Sequence, residues 1–184
     1  MDEAALFKAI RQIAGRGLTQ AEVDLVQAAL RGSPVPIAAK RISPKGVALI
    51  KEFEGLRLKA YPDPATGGAP WTIGVGHTGG VKPGDVITEA KADEFLRADL
   101  ERFERAVNKL FPVTTQNQFD ALVSLCFNVG EGNLSSSTLR TLHNQGQYEA
   151  AQAQFKRWNR AAGKEMAGLT RRRAAEALLY GSPA

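Results

Sequence analysis

Residues 116–130, QNQFDALVSLCFNVG, read as a helix that is apolar nearly all round and closed by Gly130. Such a helix is not stable on a surface, so it becomes the buried centre of a helical lobe and the rest of the chain must wrap it. The flanking sequence supplies the wrapping. Thr88 starts a long helix whose stripe is Ala92, Phe95, Leu96, Phe103, Val107 and Leu110, and Pro112 ends it. Three further helices are expected, around Leu139 and Leu142, over 148–158 and over 170–180, with Trp158 in the lobe's core. A chain of 184 residues with 43% hydrophobic content can bury one main domain with an appendage.

Ahead of that lobe the periodicity changes. Over 43–55, SPKGVALIKEFEG reads as a short amphipathic helix: Ser43 caps it, Pro44 suits its first turn, Val47, Ile50 and Phe53 share a face, and Gly55 stops it. Leu56, Leu58 and Ala60 then alternate with Arg57, Lys59 and Tyr61 as a strand, and WTIGV is its partner across the turn PDPATGG. Glu54 therefore ends a helix, where the dipole and apolar neighbours favour a protonated carboxyl. Asp63 lies in a turn, where solvent and backbone donors favour the ionised form. Two carboxyls in opposed environments can divide acid and base roles, as cleavage of a glycosidic bond requires. Spacing alone is weak support, because a Glu at a helix end and an Asp in a turn are more often a solvated charge and a turn former.

The remaining signals exclude other classes. Cys126 is the single cysteine, which rules out an internal disulfide framework, and its place in the run ALVSLCF marks a buried, inert thiol. Two histidines are too few for a zinc site, and no metal or cofactor is expected; His77 reads as a hydrogen-bonded support for the hairpin. GVG in TIGVG lacks the spacing of a phosphate loop. No segment is apolar enough to span a membrane, and MDEAALFKAIRQIAG carries no signal-peptide pattern, so membrane insertion is not expected.

Charge is uneven. Residues 1–43 carry six basic against four acidic side chains, 44–139 ten against twelve, and 140–184 eight against three. A basic C-terminal region suits an anionic polymer. The run Arg171, Arg172, Arg173 invites a nucleic-acid reading, but no recognised nucleic-acid motif accompanies it, and none is expected as a partner. Read as opening a helix, the run opposes the positive dipole end. One of the three is expected to reach Glu54 or a neighbouring carboxylate, with the others solvated.

Residues 1–31 read as an N-terminal helical hairpin around 15–19, with Thr19 and Glu22 as a capping box on the second helix. Residues 32–43, with Pro34 and Pro36, read as a linker, and 44–184 as the main domain. A hairpin this small must rest its Leu6, Phe7, Ile10, Val23, Val26 and Leu30 on something, and the domain's own lobe is the preferred support over a wall component or partner chain.

The string EGLRLKAYPD followed by TIGVGH, then TEAKADEFLRADL, QFDALVSLCFNVG and GLTRRRAAEALLYG in that order, closely resembles the phage-type lysozymes, the endolysin family of glycoside hydrolases, over about residues 44–181. The resemblance implies an α+β fold: a small lobe with a short antiparallel sheet, a larger helical lobe, and a cleft between them. It implies Glu54 as general acid, Asp63 as second carboxylate and Thr72 as the hydroxyl that helps hold the attacking water. Tyr61, Gly74, Gly76 and His77 would shape the cleft floor, and Gly76, Thr78, Phe127 and Asn128 would bind substrate. The implied substrate is bacterial peptidoglycan, cut at the β-1,4 bond between N-acetylmuramic acid and N-acetylglucosamine, by a monomer made in a host cytoplasm that acts after release through the inner membrane. One departure stands out: the segment from Asp63 to Thr72, with Gly67, Gly68, Ala69 and Pro70, is longer than the family's usual turn. Alternatives left open are a lytic transglycosylase on the same bond, a non-catalytic wall-binding module, and a membrane-disrupting basic protein.

Overall fold

In the computed structural model of the chain, residues 3–14, 17–18, 23, 26–27, 30, 39–63 and 66–183 are described. Two compact units divide it, residues 1–38 and 39–184. In the first, helix α1 (Glu3–Ala14) half-buries Leu6, Phe7 and Ile10, and Val23, Val26, Gln27 and Leu30 are helical. Gln27 Nε2 donates to Glu3 Oε1 at 3.4 Å. The capping box expected at Thr19 and Glu22, and residues 32–38 of the expected linker, lie outside the described residues.

The second unit starts with an extended segment tied to the long helix. Lys40 N donates to Asn108 Oδ1 and Asn108 Nδ2 returns a bond to Lys40 O, both at 2.9 Å, while Ile42 N and Arg41 Nη1 donate to the buried Glu104. Helix α2 (Pro44–Glu54) begins as its sequence dictates, with the Ser43 hydroxyl accepting from Gly46 N and proline in the first turn. Buried Asp120 accepts from Ser43 N at 2.9 Å and from the Ser43 hydroxyl, fixing the start of α2 to the central helix. The approach is close enough that a Cβ on Gly46 would sit 2.8 Å from Asp120 and 2.6 Å from Ile42. Gly55, at φ +75°, ends α2 and donates to Lys51 O.

Strands β1 (Arg57–Pro62) and β2 (Trp71–Gly74) pair antiparallel, with Tyr61 opposite Thr72, Pro62 opposite Trp71 and an irregularity between Arg57 and Tyr61. Residues 85–87 lie along the free edge of β1: Ala60 N donates to Asp85 O and Ile87 N to Leu58 O, both at 2.9 Å. The long turn closes on itself, because Asp63 N donates to Gly68 O and Gly67 N to Asp63 O, so its extra residues loop out beyond the ladder.

Helix α3 (Glu89–Leu110), capped by Thr88, buries Ala92, Leu96, Leu100, Phe103, Ala106, Val107 and Leu110. Helix α4 (Gln116–Val129), closed by Gly130, buries every residue from 118 to 126 and packs against α2, α3 and the last helix. Its all-round apolar surface is thereby satisfied. A short α5 (Glu131–Ser135), α6 (Thr138–Asn144), α7 (Tyr148–Gln152) and a 3₁₀ turn (Phe155–Trp158) follow. Trp158 is half-buried against the core. A two-residue hairpin, β3 (Arg160–Ala161) with β4 (Lys164–Glu165), leads into α8 (Ala167–Gly181). Sequence periodicity anticipates neither α5 nor this hairpin, both too short to carry a period.

Helix α8 corrects two expectations. It starts at Ala167, three residues before the expected 170, so Arg171, Arg172 and Arg173 fall in its second turn and not against its dipole end. Only Arg171 is solvated; Arg172 and Arg173 are 3% and 1% exposed.

Candidate active site

Glu54 is delivered to an open cleft of about 450 Å³ whose wall also holds Gly76, Thr78, Gly79, Asp99, Arg102, Phe103, Phe127 and Asn128. Each arrives for a local reason. Gly55 stops α2 one residue after Glu54. Reciprocal backbone bonds between Ile73 and His77, at 2.8 and 2.9 Å, fold residues 73–77 into a tight loop that Gly76, at φ +81°, can adopt without strain. Phe127 and Asn128 come from the last turn of α4, with the Phe127 ring edge-on to Phe103 at 5.2 Å. His77 stacks on Phe95 at 4.2 Å, its Nδ1 2.8 Å from Asp99 Oδ2 and its Nε2 2.9 Å from Gly79 O. It is built into the hairpin's support.

Behind the cleft wall lies a buried ionic network. Arg172 Nη1 donates to Glu54 Oε1 at 2.5 Å. Arg172 is held in turn by Glu176 Oε1, 3.1 Å from its Nε, and Glu176 Oε1 also takes the Ser124 hydroxyl at 2.7 Å and Arg173 Nη2 at 3.2 Å. Arg173 Nη2 reaches Asn128 Oδ1 at 3.1 Å, so both cleft residues on this side are tied to one carboxylate. Burial lowers Arg173 to about 10, which leaves it charged at neutral pH, and burial raises Glu176 against the pull of the two guanidiniums. The expected apolar surroundings of Glu54 are therefore corrected: its side chain is 24% exposed and meets a guanidinium.

The cleft thus gathers Glu54, Gly76, Thr78, Phe127 and Asn128. Asp63 and Thr72 are not on this wall; both are half-buried on the β1–β2 hairpin. Tyr61 faces Thr72 in the ladder, while Asp63 follows the end of β1 at Pro62, where its N–H turns to Gly68 O. Sequence reasoning missed Arg102, Asp99 and Glu176, whose spacing on helices carries no signal of what they face across the fold. Cys126 is buried, and burial pushes its thiol up to about 12, far from a nucleophile. Among the described residues no three His, Cys, Asp or Glu side chains gather as a metal site would need.

A larger groove of about 570 Å³ runs between α2 and α3, but most of its charges already pair with one another, Lys51 with Asp93 and Arg41 with Glu101 and Glu104. The smaller cleft has Glu54 and is the candidate site.

Comparison with known proteins bears on the family and the fold. The family described as Phage lysozyme matches residues 51–176. The chain is 49% identical over 144 residues to the endolysin of Bacillus phage PZA, covering 77% of this chain and 55% of the relative, so it spans about half that protein's length. It is 45% identical over 146 residues to the endolysin of Acyrthosiphon pisum secondary endosymbiont phage 1, covering 77% of this chain and 98% of the relative. Among solved structures, a P22 lysozyme mutant superposes with TM-score 0.71 at 39% identity over 78% of this chain and 99% of its own. The muramidase domain of SpmX from Asticaccaulis excentricus does so with TM-score 0.72 at 41% identity over 78% of this chain and 99% of its own. The α+β lysozyme-like fold read from the sequence is the fold these structures share, and the chain belongs to the phage lysozyme family.

Proposed function

We propose that the chain is an endolysin-type glycoside hydrolase that cleaves the β-1,4 bond between N-acetylmuramic acid and N-acetylglucosamine in bacterial peptidoglycan. The observation that carries this is Glu54, placed at the wall of an open cleft in a chain of the phage lysozyme family and oriented by Arg172. Arg172 occupies Oε1, which leaves Oε2 to deliver a proton to the leaving oxygen. Asp63, at the end of β1, and Thr72, on β2, hold the attacking water from the other side of the sugar. Gly76 and Thr78 offer backbone and hydroxyl to the sugar, Phe127 an apolar ring face, and Asn128 an amide fixed by Arg173. No helix among the described residues is long and apolar enough to cross a membrane.

Mass spectrometry of fragments released from purified sacculi tests this. Reducing-end muramic acid, inverted at the anomeric carbon in the first-formed product, is expected. Anhydro-muramic ends would indicate a lytic transglycosylase, and no product a binding or membrane-active protein. Glu54→Gln keeps the side chain's shape without its proton and should lower turnover by about 10²–10⁴ while sacculus binding persists.

A further inference from the structure

Three charged side chains line the candidate cleft: Glu54, Asp99 and Arg102. Two of them have close partners, since Glu54 pairs with Arg172 at 2.5 Å and Asp99 Oδ2 lies 2.8 Å from His77 Nδ1. Arg102 pairs with no carboxylate among the described residues. Asp99 stands three residues before it on α3, a natural partner by helical spacing, yet Asp99 Oδ2 is directed to His77. Arg102 is also held in place. Its guanidinium lies 4.5 Å from the ring centroid of Phe103, and Phe103 is buried and locked edge-on against Phe127 at 5.2 Å. A guanidinium resting on an aromatic face keeps its N–H edges free, and that planar fork matches a carboxylate in two parallel bonds.

We propose that Arg102 is a specificity residue of the cleft, one that grips a carboxylate carried by the muramic residue and so favours muramic glycans over neutral ones. This rests on the glycoside hydrolase reading above. The sugar backbone of such a glycan offers only hydroxyls and acetamides, so a carboxylate comes from one of two sources. It is either the lactyl group of a muramic acid without peptide, or the peptide attached to that lactyl group. Either would be steered by a guanidinium that rests on Phe103 and pairs with no carboxylate among the described residues.

The test compares three soluble oligomers of matched length: an N-acetylglucosamine oligomer, peptide-free glycan strands bearing lactyl carboxylates, and peptide-bearing strands. Reducing-end release gives kcat/KM on each for the wild type, Arg102→Gln and Arg102→Lys. The wild-type preference for carboxylate-bearing over neutral substrate should fall about tenfold in Arg102→Gln, through KM more than kcat. Arg102→Lys should lie between, because an ammonium keeps the charge without the fork. The side chain is exposed, so thermal melting should stay as in the wild type and exclude misfolding. Loss of preference on peptide-free strands assigns the lactyl carboxylate, and loss confined to peptide-bearing strands assigns the peptide; both support the inference. An unchanged preference with cleavage intact overturns it, and so does an equal loss on all three oligomers. Absence of cleavage of any oligomer by the wild type would overturn the hydrolase reading and this inference with it, an outcome distinct from intact cleavage without preference.

Discussion

The two sides of the candidate site are built by different means. On the helical side, Glu54 and Asn128 are fixed by Arg172 and Arg173, both anchored on Glu176 in an interior where Glu176 is 0% exposed. On the hairpin side, the proposed partners are Thr72, on a ladder only a few residues long, and Asp63, in the turn that two backbone bonds close at its tip. Buried charges have few tolerated arrangements, since each lost partner leaves an ion uncompensated, whereas a turn near solvent can shift at little cost. Position is thus over-determined on one side and adjustable on the other, and substitutions on the two sides should fail differently.

The largest effect expected is on stability. Glu176→Gln leaves Arg172 and Arg173 buried without the carboxylate that joins them, and should cost about 3–5 kcal/mol in denaturant unfolding, with activity lost as a consequence. A small shift would mean that water penetrates the network and the helical side is no more rigid than the hairpin. Asp63→Asn should give the reverse pattern: kcat lower by about a hundredfold, equivalent to ~2.7 kcal/mol of barrier, with unfolding free energy changed by about 1 kcal/mol at most. Comparable losses of stability in both variants would erase the contrast.

A third prediction asks whether burial governs the helical lobe away from the site. His143 is 2% exposed, its Nε2–H donating to Val113 O at 2.7 Å while the Tyr180 hydroxyl donates to Nδ1 at 2.6 Å, the neutral tautomer these partners require. Burial lowers its pKa, against the pull of the Val113 carbonyl. The unfolded chain therefore binds the proton first, so this contribution to stability is complete above about 6.5 and is lost as pH falls through that value toward the lower folded one. Between pH 7 and 5 the wild type should lose more stability than His143→Asn, read as the difference in melting-temperature slope. Parallel slopes would show that the ring charges without cost. The smallest structural effect is expected on the exposed basic face. Replacing Lys156, Arg157 and Arg160 by neutral residues should leave melting within a few degrees, weaken adsorption to sacculi and flatten its salt dependence. Unchanged adsorption would assign wall attraction to the cleft alone.

What the sequence determined by itself is what local chemistry controls. Ser43, Pro44 and Gly55 bracket α2, Thr88 starts α3, Gly130 closes α4, and the alternation after Leu56 makes the strand, because caps, turns and periodicity act over a few residues and need no partner elsewhere. Motif order was equally legible, and with it the family. Tertiary structure decided the partners. Asp120 holds the start of α2 from 77 residues away, Glu104 holds Ile42 from 62, and Arg172 meets Glu54 from 118. The same physics explains the missed residues. A charged side chain in a helix reads as solvated, and only the packed fold reveals which charges it buries, as with Arg173 and Glu176, and which it leaves facing the cleft, as with Arg102. Periodicity specifies which face of a helix is covered; the covering neighbour, and hence each charge's partner, is set only when the elements pack.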